Sequence, residues 1–352
     1  MLGPGLKGHG VSLDVQQPQH SVLQRFAPRL PRGRFVAVWV MTALLFLASP
    51  LIAPGSLSSS ALSSMLPFAA ILVIASLGQA LVITQGGIDL SVPGSMALAA
   101  VFVTKVPEQT GMPIAAAAVL GIAVGALGGL AIGVSVVRFE IPAFVATLAM
   151  NSILIGVVIH ISKGFPGSAH PAFSDFAVHS FGFLPSLLII AVVLAVLTQW
   201  LRVKAVTGRR FMAVGASAPA SYLLGIRTVA HQIGAYVVAG ALYALAGLLL
   251  AGYLRTPDIL LGNPYQLSTI AAVVLGGCLL TGGVSNAAAT AAAALFLTQL
   301  NQVVLAAGAD TSIQLLVQAL VLALAVVLRR VPLGALRRAR TGRRSPPAPV
   351  TQ

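Results

Sequence analysis

Of 352 residues, 57% are hydrophobic and only 8% charged, against roughly 25% charged in an ordinary soluble domain, so a soluble fold of this length could not solvate its surface. The formal net charge of +14 raises nucleic acid as a partner. The basic residues sit at the two ends and in one internal loop, with no stripe interleaved with aromatics, which excludes that reading. What remains is an all-α integral membrane protein lying mostly in the lipid bilayer.

Residues 1–34 are rich in Pro, Gly, Gln and Arg and read as a flexible cytoplasmic tail. Apolar runs then recur with no soluble block between them, and crossing a hydrocarbon core of ~30 Å takes ~20 mostly apolar residues. About ten transmembrane helices are expected: Phe35–Ala53, Leu62–Thr84, Ser91–Val106, Pro113–Val137, Ala143–Ser162, Phe183–Leu201, Val229–Tyr253, Gln266–Leu280, Val284–Ala307 and Thr311–Leu328. The third and eighth are short. The first has basic residues before an apolar centre, as a signal peptide does, but exceeds the usual apolar region of one and is expected to stay uncleaved. The membrane domain is therefore set at 35–328, followed by a basic cytoplasmic tail over 329–352 that holds orientation and touches anionic lipid.

Cytoplasmic loops retain Lys and Arg. With both termini inside, all but Lys105, Lys163 and Arg255 of the 21 Lys and Arg residues fall on the inner side. Trp200 beside Arg202 suits an interfacial anchor at the inner end of the sixth span. Gly121, Gly125, Gly128, Gly129 and Gly133 crowd the fourth span. Small residues at this spacing let backbones approach where lipid supplies no hydrophobic drive between helices.

Two Gly-rich breaks interrupt the apolar pattern. Gln85-Gly86-Gly87-Ile88-Asp89-Leu90-Ser91 separates the second and third spans, and Thr281-Gly282-Gly283 separates the eighth and ninth. Each follows an apolar run and precedes a small-residue helix. That parallel points to internal pseudo-symmetry with interrupted helices beside a transport pathway, or to coincidence in a glycine-rich chain. Asp89 is the one acid close to membrane depth, where a charge costs ~2.5 to 3.5 kcal/mol on insertion scales. Two readings stand: Asp89 or Ser91 caps the exposed amides where the third helix starts, or Asp89 touches substrate. Gln79, Gln85, Gly86, Gly87, Asp89, Ser91 and Asn151 form the candidate pathway set.

The loop Arg202–Thr228 carries its own helix signals: Ser217 can cap, Pro219 is tolerated in a first turn, Ala220–Leu224 favour helix, and Gly225 can end it in the left-handed region. Tyr222, Leu223 and Leu224 would form its apolar side, either as a plug for a partner's groove or lying at the membrane face. No stretch matches G-x-x-x-x-G-K-[ST], and Lys163-Gly164 lacks the preceding glycines. The chain is therefore expected to have no ATPase site, no catalytic residues and no cofactor of its own. His170 and His179 have no ligand-like partners at useful spacing, so no metal site is expected. Cys278, in an apolar stretch, is read as a packing residue.

Several blocks resemble the ribose-type sugar permeases of ABC importers. Gly78-Gln79 to Val82-Ile83-Thr84, then Gly86-Gly87-Ile88-Asp89-Leu90-Ser91-Val92, resembles that family's signature. Ile141 to Leu148 resembles a second block. Gly208-Arg209-Arg210 through Ala213-Val214-Gly215, Ala220 and Leu224-Gly225-Ile226 resembles its ATPase-facing loop. Ile270 to Gly277 with Gly282-Gly283 resembles its late block. The matches run in order from about Ala61 to Leu328. Pro93, between Val92 and Gly94, departs from the pattern and shifts the start of the third helix.

The resemblance implies an importer-type permease bundle, multi-pass in a bacterial inner membrane. Two such subunits, identical or different, would form the pathway. Cytoplasmic ABC ATPases would bind the ATP, and an extracytoplasmic sugar-binding protein would deliver a monosaccharide or related polyol. Gly208, Arg209, Arg210, Gly215, Ser217, Ala220, Leu223, Leu224, Gly225 and Ile226 would couple the loop to the ATPase. A related permease for nucleosides or branched-chain amino acids is the alternative, disfavoured by the Gly86–Ser91 run. An ion-coupled secondary carrier is a further one, disfavoured by the single intramembrane acid.

Overall fold

A computed structural model describes residues 35–165, 167–182 and 184–330. The tail expected over 1–34, and the 329–352 tail beyond Arg330, lie outside the described residues. The chain runs α1 (Val36–Ile52), α2 (Ser59–Thr84), α3 (Val92–Thr110), α4 (Ile114–Arg138) and α5 (Ala143–Ser162). A short α6 (Pro171–Val178) and a two-stranded hairpin, β1 (Ser180–Phe181) and β2 (Leu184–Pro185), lead into α7 (Ser186–Lys204). Then follow α8 (Val206–Ala216), α9 (Ala218–Leu223), α10 (Thr228–Leu254), α11 (Tyr265–Leu275), α12 (Ala287–Ala306) and α13 (Thr311–Arg330).

Each apolar run marked in the sequence overlaps one of these helices, and six of them, α2, α4, α5, α7, α10 and α12, are long and apolar enough to cross a membrane. The boundaries move for local reasons. α2 begins before Leu62 because the Ser58 hydroxyl accepts from the Ala61 amide at 3.2 Å and caps it. α3 runs on to Thr110, where Gly111 turns left-handed at φ 69° and stops it. α11 is cut to 11 residues, about 17 Å at 1.5 Å per residue, because Gly277 at φ 97° breaks the chain before the expected Leu280. α6, the hairpin and α8 have no counterpart in the sequence reading.

α2 is the central element. Its Ile71, Ile74, Leu77 and Ile83 are fully buried and lie on every side of the helix, as expected of a helix apolar all round. α10 packs across α4, α2 and α3. At the α4–α10 seam the glycines replace side chains with backbone: a β-carbon on Gly129 would fall on the Tyr236 carbonyl oxygen, and one on Gly240 on that of Gly125. Gly121 meets Phe102 of α3 and Gly133 meets Ile233 of α10, whereas Gly128 has only Leu154 at 3.9 Å. Four of the five α4 glycines therefore serve close approach, and the fifth does not. α5 and α7 expose Ile153, Val157, Val192, Val193 and Val196, apolar faces that suit contact with lipid.

Candidate functional site

The two Gly-rich breaks, far apart in sequence, meet. The amide of Gly283 donates to the Thr84 carbonyl at 2.9 Å, filling an acceptor left open at the end of α2. A β-carbon on Gly282 would lie 2.7 Å from the Gly215 carbonyl oxygen, 2.9 Å from that of Thr84 and 3.2 Å from the Gly86 amide nitrogen. One on Gly215 would fall on the Thr84 carbonyl oxygen itself. Three backbones thus close on one point, and the third belongs to α8 of the internal loop. Gln85 completes the joint, its Nε2 donating to the Phe211 carbonyl at 3.0 Å.

Beyond this joint the loop turns outward. Ser217 caps α9 by accepting from the Ala220 amide at 3.3 Å, and Gly225 follows the helix at φ 74°. Ser221 faces inward, while Tyr222, Leu223 and Leu224 are 71%, 85% and 78% exposed. Arg209 donates to the Lys204 carbonyl at 2.8 Å, pinning α8 to the end of α7. Gly208 lets them touch, since its β-carbon would fall on the Leu201 carbonyl oxygen. Ala220 and Ile226 serve the α9 turn through backbone bonds to Leu224 and Ser221. Arg210 is exposed.

Within the break after α2, Asp89 and Ser91 are closed to solvent, while Gly86 is exposed. Asp89 is fully buried, and its Oδ1 accepts from the Ser91 amide at 2.8 Å and the Ser91 hydroxyl at 2.6 Å. Ser91 is the residue before α3, but its hydroxyl donates back to Asp89 instead of accepting from a helix amide. Gln79, with its amide turned so that each end has a partner, donates to the Asp89 carbonyl (3.1 Å) and the Tyr243 hydroxyl (2.9 Å) and accepts from the Asp89 amide (3.2 Å). Gly87 admits the Tyr236 hydroxyl where a β-carbon would collide. Asn151 of α5 accepts from the Gly94 amide at 2.8 Å and ties the start of α3 to α5. Gln79, Asp89 and Ser91 are therefore gathered in one buried polar cluster, with Gly87 packed against it through Tyr236; Gln85 and Gly86 lie at the joint, and Asn151 stands apart.

An open site lies elsewhere. Between the first half of α2, the end of α10, and α11, α12 and α13 is a cavity of ≈ 670 Å³. It lies roughly 20–25 Å from the joint, measured along α2 and α12 at 1.5 Å per residue. Its walls carry Thr298, Asn301 and Gln302 from α12, Gln314 and Gln318 from α13, and Phe68 from α2. None of these belongs to the pathway set read from the sequence. The signal was present: 298, 301, 302 and 305 share one helix face, as do 314 and 318. Gln299, between them, points the other way and donates to the Ser49 hydroxyl at 2.9 Å.

The family described as "Branched-chain amino acid transport system / permease component" matches residues 61–326. The chain belongs to this family. The ribose import permease protein of Bacillus subtilis is 30% identical over 88% of this chain and 94% of its own length, and that of Escherichia coli K12 is 31% identical over 84% and 96%. A probable ABC transporter permease of Sinorhizobium fredii is 33% identical over 82% of this chain and 86% of its own length. The resemblance to ribose-type ABC permeases read from the sequence is borne out. No solved structure matches significantly. With six apolar helices and permease relatives, this family member is a multi-pass membrane protein and a transporter component.

Proposed function

We propose that this chain is the membrane-spanning subunit of an ABC importer for a monosaccharide or related polyol. It crosses a bacterial inner membrane ten times over 35–328, with both termini, their tails at 1–34 and 329–352, and the 202–228 loop in the cytoplasm. The ribose permeases among its relatives support the substrate class, and the Lys and Arg distribution supports the orientation. A second permease subunit completes the pathway, separate ATPases bind ATP, and an extracytoplasmic sugar-binding protein delivers the solute.

The observation that carries this reading is the α8–α9 loop. It offers an exposed apolar tip at one end and is wedged into the meeting point of both breaks at the other. In water such a tip is a docking surface of the helix-in-groove kind. A push on α9 passes through α8 to Gly215, and from there to the end of α2 and the Gly282–Gly283 turn together. One stroke would thus move α2 and α12, which carry the walls of the distant cavity.

Leu223→Glu tests it. Leu223 is solvent-facing, so the fold should tolerate the change within about ±0.5 kcal/mol. Loss of ATPase co-purification and of ATP-driven uptake, with normal membrane expression, is the expected result. Undiminished assembly and uptake would remove the docking assignment.

A further inference from the structure

The cavity at the far end from the α8–α9 loop differs from the buried Gln79–Asp89–Ser91 cluster because its polar groups are open. Gln318 is buried and committed: it donates to the Ser268 hydroxyl at 2.6 Å, which donates in turn to the Pro264 carbonyl at 2.6 Å. These bonds set the floor. Above it, the side-chain amides of Asn301, Gln302 and Gln314 are half-buried and make no hydrogen bond among the described residues. An amide offers two donors and an acceptor without charge, which complements a hydroxyl that both donates and accepts. Phe68 adds an exposed apolar ring, held edge-on by Tyr253 with centroids 5.4 Å apart.

Charge narrows the ligand further. Among the described residues lining the cavity, Asp258 is the one charged residue, and its Oδ1 already accepts from the Leu260 amide at 2.6 Å. Among the described lining residues no cation stands to meet a carboxylate, so the zwitterionic ends of an amino acid would find no matched pair there. The volume, ≈ 670 Å³, falls within the ~300–1,000 Å³ of small-molecule sites. We infer that this cavity is the solute site of the pathway, with Asn301, Gln302 and Gln314 hydrogen-bonding the hydroxyls of a neutral polyol. The inference rests on the permease reading and moves the site away from the Gly86–Ser91 break. Neutral amides hold such a solute weakly, as a pathway that must release it requires.

The test uses the permease with its ATPase in membrane vesicles. Cys278, the chain's one cysteine, is replaced by Ser, and Leu305→Cys places a thiol on the cavity wall with every amide intact. Leu315→Cys on the facing helix is the second reporter, should the first not express. A charged, membrane-impermeant thiol reagent is applied with D-ribose, D-xylose, D-galactose, erythritol or L-leucine at millimolar concentration. The thiol should react from the side opposite the α8–α9 loop, and at least one sugar or erythritol should slow the reaction while leucine does not. Asn301→Leu or Gln314→Leu should then raise the protecting concentration about three- to tenfold, the scale of one net hydrogen bond. No labelling, no protection by any polyol, or protection by leucine alone would overturn the assignment. Failure of the permease reading is separate: the ATPase then does not co-purify, whereas failure of the cavity leaves co-purification intact.

Discussion

Gly215 and Gln314 stand at opposite ends of the bundle and obey opposite rules. Around Gly215, three backbones meet so closely that no β-carbon fits, and the Thr84 carbonyl at the end of α2 is satisfied by the Gly283 amide. Around Gln314, helices stand apart and amides face open space. The conspicuous motif, Gly86 to Ser91, lies at the closed end, and the plain stretch of α12 and α13 lines the open one. A glycine-rich, acid-bearing break in a membrane protein can therefore mark where helices are joined, with the solute handled elsewhere.

The sharpest way to break this contrast is Gly215→Ala. Its β-carbon would fall on the Thr84 carbonyl oxygen, and backbone cannot yield as a side chain does, so ATP-driven uptake should be lost. Wild-type uptake would mean the joint is loose. Next comes Gly282→Ala against Gly55→Ala. Both residues have φ near +90°, at 92° and 90°, but Gly55 has open space around its β-carbon position. The shared left-handed cost is about 1–2 kcal/mol, and Gly282→Ala should add about 1–3 kcal/mol of overpacking, read as the difference in thermal unfolding in detergent. Equal losses would deny the packing.

Smaller effects separate the two readings of Asp89. Asp89→Leu removes both bonds to Ser91 and should destabilise by about 1–3 kcal/mol. Asp89→Asn keeps the Oδ1 acceptor, and because the residue is sealed from solvent, uptake and sugar preference should stay unchanged. A switch in preferred sugar with intact expression would place Asp89 against the solute. Gln314→Leu should be the mildest for stability, within about ±0.5 kcal/mol, while still weakening uptake at low solute concentration. Uptake identical to wild type would put the pathway elsewhere.

Much of the helix content was legible because each long apolar run is its own signal. The α4 glycines and the α9 cap were readable too, since close approach and capping depend on residues a few positions apart. The joint was half legible. Both breaks were visible, but α8 was missed: Val206–Ala216 carries basic and glycine residues that read as loop, and it is held as helix by Gly208 against Leu201 and by Gly215 at the Thr84 carbonyl. The amide cavity was not read. Its side chains are spaced like any helix face, and neighbouring Gln299 shows that an amide in α12 can equally serve an internal bond.

Composition and the placement of charge were enough, without coordinates, to make this an all-α membrane protein and to mark its interruptions, because both follow from the cost of exposing apolar or charged groups in the wrong solvent. Tertiary structure alone decided that the two breaks touch, that α8 is wedged between them, and that the free amides face a cavity. Those facts depend on which helix faces meet across long stretches of chain, and a local period says which face a residue shares but not what stands opposite it.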